Sequence, residues 1–461
     1  MRLLGILWNS LENHKDEALD FIRYYGKIVD FIDIDFGSEY ENFIKELYPF
    51  NLKEKWKSEW KIKGLVNKYS DNYIRLVFID IPKCEKVFLP NKNKMMYQNV
   101  LELKVKLRKK FKAFDNKNIN VAENISYNNV FHMSDDELEY ENDIKIVIKY
   151  LSKFKKRVNG FLNVDNYFDK ERILSERWGT RNNFWFNKNI MFKENTKETY
   201  ESFSEIFNMY LMKQCKLNPP FYDLAIYQGK KGVITFNVLE EEEFMIDGSH
   251  VMSEDESFTK KELIEHNNLE MLPKIIMNWC NRKGFNYNDK IIIDLEKLFL
   301  YDLLSLQPDR NPSNYSFAIN KNTKDVRLVY FDNSNMFYCD DKKAISEYKN
   351  NTLDIESYIE QMKTFLLNKA SDTCFDSKYT IFEEYYSSVS SKKREYVIFL
   401  LEQMTQLKLK TLFQIIESDI QTTFPEDFKS AILDAFNMFH KKMYSIIKKY
   451  EKEEKQLILI R

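Results

Sequence analysis

The stretch from Asp309 to Asp332 contains two carboxylates and one amide whose spacing suits phosphoryl transfer. Asp309 and Asn314 are five residues apart on one segment, and Asp332 follows further along the chain. Phosphoryl transfer needs a group that orients the attacking hydroxyl and oxygen ligands for Mg²⁺ on the nucleotide phosphates. Asp309 suits the first task, and Asn314 and Asp332 suit the second.

The elements around these residues must bring them together. Residues 295–306 carry an apolar stripe at helical spacing, and Pro308 and Pro312 then predict a tight loop. Two strands at 315–319 and 326–331, joined by a polar turn, would fold Asp332 back beside that loop. A lone Asp-x-x-x-x-Asn usually only caps turns. The helix, loop and hairpin around this one favour the catalytic interpretation.

A second candidate pair lies upstream. Lys193 ends the predicted strand 190–193, and the helix that follows carries Glu201 and Glu205. Kinases hold the α- and β-phosphates of ATP with a strand lysine that pairs with a helix glutamate. Glu205 is the preferred partner because it lies in mid-helix, and Glu201, one turn earlier on nearly the same face, is the alternative. Taken alone, Lys193 would be read as a solvated surface lysine; its place ahead of Asp309 favours the phosphate role.

A further hairpin is predicted from strands at 222–227 and 233–238, with the turn composition Gln-Gly-Lys-Lys-Gly between them. Its position in the chain order suits the edge of a kinase N-lobe. On that order alone, residues 237–240 are expected to form an adenine-binding hinge.

The sequence resembles the HipA-like kinases over about residues 175–337, and its catalytic stretch is also similar to that of phosphatidylinositol kinases. The motifs that carry the resemblance are Trp178-Gly179-Thr180, Phe184-Trp185-Phe186, Met191-Phe192-Lys193, the Glu205 helix, Asp309-Arg310…Asn314 and Asp332…Met336-Phe337. The resemblance implies that ATP and Mg²⁺ are the cofactors and that Asp309 is the catalytic aspartate. It also implies that Asn314 and Asp332 bind the metal. Lys193, paired with Glu205, would bind the ATP phosphates together with the loop residues Gly179, Thr180 and Arg181.

The chain departs from the family pattern in its phosphate loop. Residues 175–183 contain a single glycine, Gly179, and Asp332 is followed by Asn333-Ser334 rather than Phe-Gly. Three interpretations stay open: a kinase whose acceptor is a protein Ser or Thr, a nucleotide-binding pseudokinase scaffold, and a kinase of a lipid or small molecule. HipA-like proteins include growth-arresting toxins, so the resemblance also implies a role in toxicity or stress and an inhibitory partner protein.

The first 155 residues alternate strands and helices, which predicts a Rossmann-like α/β domain with a parallel sheet. The fold expected is this α/β domain at 1–155 plus an α+β bilobal protein-kinase-like domain, with an N-lobe at 156–240 and a helical C-lobe at 241–461. Helices are predicted at 353–369, 391–412 and 428–456. In the first domain, Asp135 and Asp136 follow a strand and could bind a metal, but helix capping is preferred. The basic run 104–112 is expected to form a solvated helix face.

Composition narrows the class of partners. The formal net charge is −1, which gives no general preference for nucleic acid. The five cysteines form no Cys-x-x-Cys pair, so neither a zinc site nor a disulfide framework is expected. The sequence contains no run of 18 apolar residues, so no membrane span is expected. A cytoplasmic location is expected.

Overall fold

A computed structural model describes residues 1–48, 59–66, 71–90, 94–111, 129–154, 157, 159–168, 174–178, 181–196, 199–254, 272–305, 307, 314–331, 386–387 and 389–460. Two compact units divide the chain, one comprising Met1–Phe192 with Ala225–Lys231 and the other Lys193–Leu224 with Gly232–Arg461. These cuts differ from the expected domain boundaries after residues 155 and 240, which stay predictions.

The N-terminal unit begins with a four-stranded antiparallel sheet flanked by helices. The strands up to residue 133 are β1 (Arg2–Leu7), β2 (Lys27–Asp35), β3 (Tyr73–Asp80), β4 (Lys86–Leu89), β5 (Lys94–Tyr97) and β6 (Phe131–Met133). The helices are α1 (Lys15–Arg23), α2 (Tyr40–Leu47), α3 (Gln98–Phe111) and α4 (Glu137–Phe154). The sheet order is β2-β3-β1-β6, and β4 pairs with β5 in a separate ribbon.

The expected Rossmann-like parallel sheet is wrong. Each pair of neighbouring strands in this sheet is antiparallel: β1 with β3, β1 with β6, and β2 with β3. Helix α1 does connect two strands that run in the same direction, β1 and β2, but β3 lies between them. This order is that of a split βαβ, or ferredoxin-like, unit. Alternation of strands and helices along a sequence cannot reveal a strand inserted between two others.

The burial of β1 shows that its apolar sequence fits either a parallel or an antiparallel sheet. All residues from Leu3 to Leu7 are buried, although alternate side chains point to opposite faces of the sheet. Both faces are therefore covered. A doubly covered strand has a continuous apolar sequence whether its neighbours are parallel or antiparallel, so the run alone does not determine direction.

A six-stranded sheet follows, built largely from hairpins. Its strands are β7 (Leu162–Asn163), β8 (Leu174–Trp178), β9 (Arg181–Asn187), β10 (Ile190–Glu194), β11 (Tyr222–Tyr227) and β12 (Lys230–Phe236), in the order β7-β11-β12-β10-β9-β8. Two hairpins are present in this region, β9 with β10 and the predicted one, β11 with β12. The second turns on Gln228 and Gly229 alone, at φ values of 51° and 75°. A two-residue turn with both φ values positive matches the twist of antiparallel strands.

The second unit contains a three-stranded antiparallel sheet and most of the helices. Its strands β13 (Glu243–Asp247), β14 (Tyr315–Asn320) and β15 (Val326–Tyr330) pair in that order. Its helices are α5 (Glu201–Gln214), α6 (Gly248–Ser253), α7 (Leu272–Lys283), α8 (Lys290–Leu304), α9 (Ser391–Gln403), α10 (Gln406–Ile420) and α11 (Glu426–Ile460).

Helix prediction in the C-terminal part was correct in outline. The helix expected at 428–456 is α11, whereas the one expected at 391–412 is two helices. The break falls at Met404 and Thr405, where Thr405 has the extended backbone of an N-cap residue. The helix expected at 353–369 lies outside the described residues. No helix in the described part of the chain is both long and apolar enough to cross a membrane.

Candidate active site

A buried ion pair joins the end of β10 to the middle of α5. Lys193 Nζ donates to Glu205 Oε1 over 2.6 Å, and the two side chains are only 9% and 1% exposed. The Lys193 ammonium also lies 5.6 Å from the centre of the Tyr222 ring. A buried charge is costly unless it is paired and hydrogen-bonded, so the contact fixes the position of the lysine head group.

The alternative glutamate has a different task. Glu201 accepts hydrogen bonds from the Thr196 backbone N–H at 2.7 Å and from the Thr196 hydroxyl at 3.1 Å. It thereby holds Thr196, which lies at the start of the connection from β10 to α5. The two glutamates are one turn apart, yet Lys193 contacts Glu205.

The candidate catalytic stretch lies between α8 and β14. Helix α8 ends at Leu304, and the Ser305 N–H still donates to the Tyr301 carbonyl at 2.8 Å. Asp309 lies outside the described residues. Asn314 is half-buried directly before β14, and its carbonyl accepts from the Phe331 N–H at 3.2 Å.

The predicted hairpin after Asn314 is present. β14 and β15 are antiparallel with Tyr315 opposite Tyr330, so the chain after β15 returns to Asn314. Asp332 is the residue after Phe331 and lies outside the described residues, as do Gly179 and Thr180 of the phosphate loop. Arg181 opens β9 opposite Trp178, and its side chain is among those that are not described.

The expected hinge, residues 237–240, connects β12 to β13. Its Val238 carbonyl accepts from Arg327 of β15 at 2.8 Å, and Arg327 also pairs with Glu243 at the start of β13. The hydrogen bond from Arg327 lowers the pKa of Glu243. This connection is therefore anchored to the three-stranded sheet, while adenine binding here stays a prediction.

Comparison with solved structures finds chains to which this one is similar. No protein-family model matches the chain, and no curated protein matches it. The chain is similar to the crystal structure of a Helicobacter pylori proinflammatory kinase, CtkA, with 15% identity, coverage of 64% of this chain and 99% of that chain, and a TM-score of 0.39. It is also similar to HipA in a Shewanella oneidensis MR-1 toxin–antitoxin complex with HipB and operator DNA, with 12% identity, coverage of 60% and 66%, and a TM-score of 0.34. The expected resemblance to HipA-like kinases is confirmed as a resemblance.

The candidate site at the end of β6 is a buried polar cluster. Asp136 accepts from the Glu139 N–H at 2.9 Å, and Glu139 in turn accepts from the Asp135 N–H at 2.8 Å. These reciprocal bonds resemble a capping box at the start of α4, which confirms the capping interpretation of Asp136. Asp135 pairs with Lys104, which also donates to the Met133 carbonyl.

His132 completes this cluster. Its Nδ1 lies 2.9 Å from the Tyr48 hydroxyl and its Nε2 lies 3.2 Å from the Asp143 carboxylate. Ligand atoms of His132, Glu139 and Asp143 lie within 4.8 Å of one another, a spacing that a metal could use. Both ring nitrogens have hydrogen-bond partners and Glu139 accepts from the Asp135 N–H, so we interpret the cluster as structural.

The basic run on α3 is not a simple solvated face. Lys104 is buried, and Arg108 donates to the Phe131 carbonyl through two nitrogens at 3.0 and 2.8 Å. Strand β6 lies at the edge of its sheet, so these cations satisfy carbonyls for which the sheet provides no neighbouring strand. Burial lowers the pKa of Lys104, and the charge of Asp135 opposes that shift.

Proposed function

We propose that this chain is an ATP-dependent kinase of the HipA-like kind, which transfers the γ-phosphate to a hydroxyl. The observation that carries the proposal is the buried Lys193–Glu205 pair, formed between a strand end and the middle of the next helix. That is the arrangement by which kinases present a lysine to the α- and β-phosphates. An ion pair that only stabilised the fold could lie anywhere along the chain, whereas this one precedes Asp309 and Asn314 in the sequence.

The donor set suits ATP and Mg²⁺. Lys193 offers a cation for phosphate oxygens, whereas Asn314 and Asp332 offer the oxygen ligands that Mg²⁺ prefers. When bound, the metal neutralises charge on the phosphates. In this proposal Asp309 accepts the proton of the acceptor hydroxyl and orients it, and Gly179, Thr180 and Arg181 lie near the phosphates. The chain's own residues therefore cover each of these tasks in the transfer.

We propose a protein Ser or Thr as the acceptor, together with a role in toxicity or stress and an inhibitory protein partner. All three follow from the resemblance to HipA-like kinases. The experiment is incubation of the purified chain with γ-labelled ATP and a cell lysate, fractionated afterwards into protein, lipid and small molecules. Label should enter protein, and it should not do so with Asp309→Ala.

Label confined to lipid or small molecules would contradict the protein acceptor and leave the kinase proposal standing. Nucleotide binding without transfer to any fraction would contradict the kinase proposal and favour a pseudokinase scaffold. Equal label with wild type and Asp309→Ala would contradict the role given to Asp309.

A further inference from the structure

A buried hydrogen bond ties the helix of Glu205 to the helix that precedes the candidate catalytic stretch. The Tyr301 hydroxyl donates to Asn208 Oδ1 over 2.7 Å, and both residues are 1% exposed. Asn208 lies on α5 three residues after Glu205, and residues at that spacing share one side of a helix. The contact therefore lies close to the turn that carries the ion pair.

Tyr301 belongs to the last turn of α8. The Ser305 N–H donates to the Tyr301 carbonyl, and the Gln307 N–H donates to the Asp302 carbonyl at 2.9 Å. The residues that follow Gln307 contain Asp309. Through one hydrogen bond, then, α5 is attached to the point where the chain leaves α8 for the candidate catalytic loop.

Two other contacts of α5 are of a different kind. Phe207 stacks on Phe413 of α10 with ring centres 4.6 Å apart, and the Tyr210 hydroxyl donates to Asp419 at an exposed position. Apolar packing holds the helix without specifying its rotation closely. A buried polar contact is satisfied only in one geometry, because an unmade hydrogen bond there costs the desolvation of its groups.

We propose that Asn208 and Tyr301 are positioning residues that fix the rotation and register of α5 against α8, so that Glu205 reaches Lys193. This inference rests on the proposed kinase function. It assigns the two residues no contact with ATP or acceptor. Their effect on phosphoryl transfer passes through Glu205, which makes the effect separable from a general loss of stability.

The test is a double-mutant cycle on kcat/KM for MgATP with Tyr301→Phe and Glu205→Gln. Tyr301→Phe keeps the ring and removes only the hydroxyl, and we expect kcat/KM to fall about tenfold, mainly through a higher KM. In the Glu205→Gln background the same change should cost less than about twofold, because residues that act through one contact are not additive. Tyr210→Phe is the matched control on α5 and should change kcat/KM less than about twofold.

An undiminished effect of Tyr301→Phe in the Glu205→Gln background would overturn the proposal, as would the absence of any effect in the wild-type background. Amide hydrogen exchange is a second measurement, and it does not depend on kinase activity. Tyr301→Phe should speed exchange of the α5 amides, and Tyr210→Phe should not; unchanged exchange would also overturn the proposal. A wild-type chain that transfers no phosphate would contradict the proposed function instead, and the exchange result would then decide the positioning role.

Discussion

Two glutamates one helical turn apart have separate partners in this chain. Glu205 contacts Lys193, and Glu201 contacts the backbone and hydroxyl of Thr196. Both carboxylates are buried and both belong to α5. Substitution of Glu201 is therefore a matched control for substitution of Glu205, which contacts Lys193.

Changing Glu205 to Gln should weaken MgATP binding at least about tenfold. The amide keeps the volume of the side chain but removes the charge that orients the Lys193 ammonium, and charge-assisted hydrogen bonds are about twice as strong as neutral ones. Glu201→Gln should leave MgATP affinity within about threefold. Isothermal titration with MgATP measures both, and equal losses in the two variants would contradict the specific role of Glu205.

His440 should make the chain sensitive to mild acid. This histidine is buried on α11, and burial lowers its pKa from 6.5 to about 4, against opposing hydrogen bonds with the backbone of Leu304 and Met404. The unfolded state binds a proton near pH 6.5 while the folded state does not. The stability that neutral His440 contributes is therefore present above pH 6.5 and is lost as the pH falls towards 4, by up to about 3 kcal/mol.

Urea denaturation at pH 7.5 and pH 5 checks this expectation. His440→Gln should flatten the dependence of the unfolding free energy on pH in this window. His250→Gln, which alters an exposed histidine, is the control and should leave the slope unchanged. A wild-type unfolding free energy that is the same at both pH values would contradict the account of His440.

Although the chain contains only 10 glycines, residue types and spacing indicate several parts of the candidate site. Lys193, Glu205 and the hairpin after Asn314 follow from spacing and chain order, and the ion pair and the hairpin are present. Asn208 and Tyr301 could not be paired in advance, because the contact joins positions 93 residues apart. A polar Asn within the apolar face of α5 was the available signal.

Contacts with the C-terminal helices, as well as with Lys193, hold helix α5 in position. Phe207 is fully buried and stacked on Phe413 of α10, and the Tyr200 hydroxyl donates to Asp427 of α11 at 2.9 Å. Burial and the Asp427 contact raise the pKa of Tyr200 to about 12. The element that carries Glu205 is therefore held by residues more than 200 positions away.

Phe207→Ala should reduce the free energy of unfolding by about 3–5 kcal/mol, because truncation of a buried Phe removes its burial and leaves a cavity. Phe88→Ala is the control: Phe88 is 55% exposed, and its truncation should change the free energy by less than about 0.5 kcal/mol. Urea denaturation measures both. A loss below about 1 kcal/mol for Phe207→Ala would show that α10 is not needed to hold α5.

At the same scale, sequence patterns identify elements better than they identify their pairing. Apolar periodicity predicts strands that alternate with helices in the first 155 residues, yet it predicts neither the β4–β5 ribbon nor the order β2-β3-β1-β6. Local patterns determine which face of a strand is covered, whereas the neighbouring strand is chosen by packing between distant segments. Likewise, Met404 caps the end of one helix and Thr405 is the N-cap of the next, within a stretch whose sequence has one continuous helical periodicity.

In the whole molecule, the first unit contains the antiparallel ferredoxin-like sheet, and the second contains the Lys193–Glu205 pair on which the proposed kinase function rests. The two compact units have separate polar centres, the His132 cluster in the first and the Lys193–Glu205 pair in the second. In the first, both ring nitrogens of His132 have hydrogen-bond partners, which suits a structural role. The second presents a buried lysine ahead of Asp309 and Asn314 in the sequence, which is why we propose that it binds ATP.

The most direct test of that claim is to ask which lysine lies beside bound ATP phosphates. An acyl-phosphate derivative of ATP transfers its acyl group to a lysine amine next to the phosphates, and peptide mass spectrometry identifies the lysine. The account predicts that the peptide containing Lys193 is acylated, that excess MgATP prevents the acylation, and that Lys193→Arg abolishes it. Acylation of other lysines only, or labelling of Lys193 that MgATP does not reduce, would contradict the proposal that this pair binds ATP.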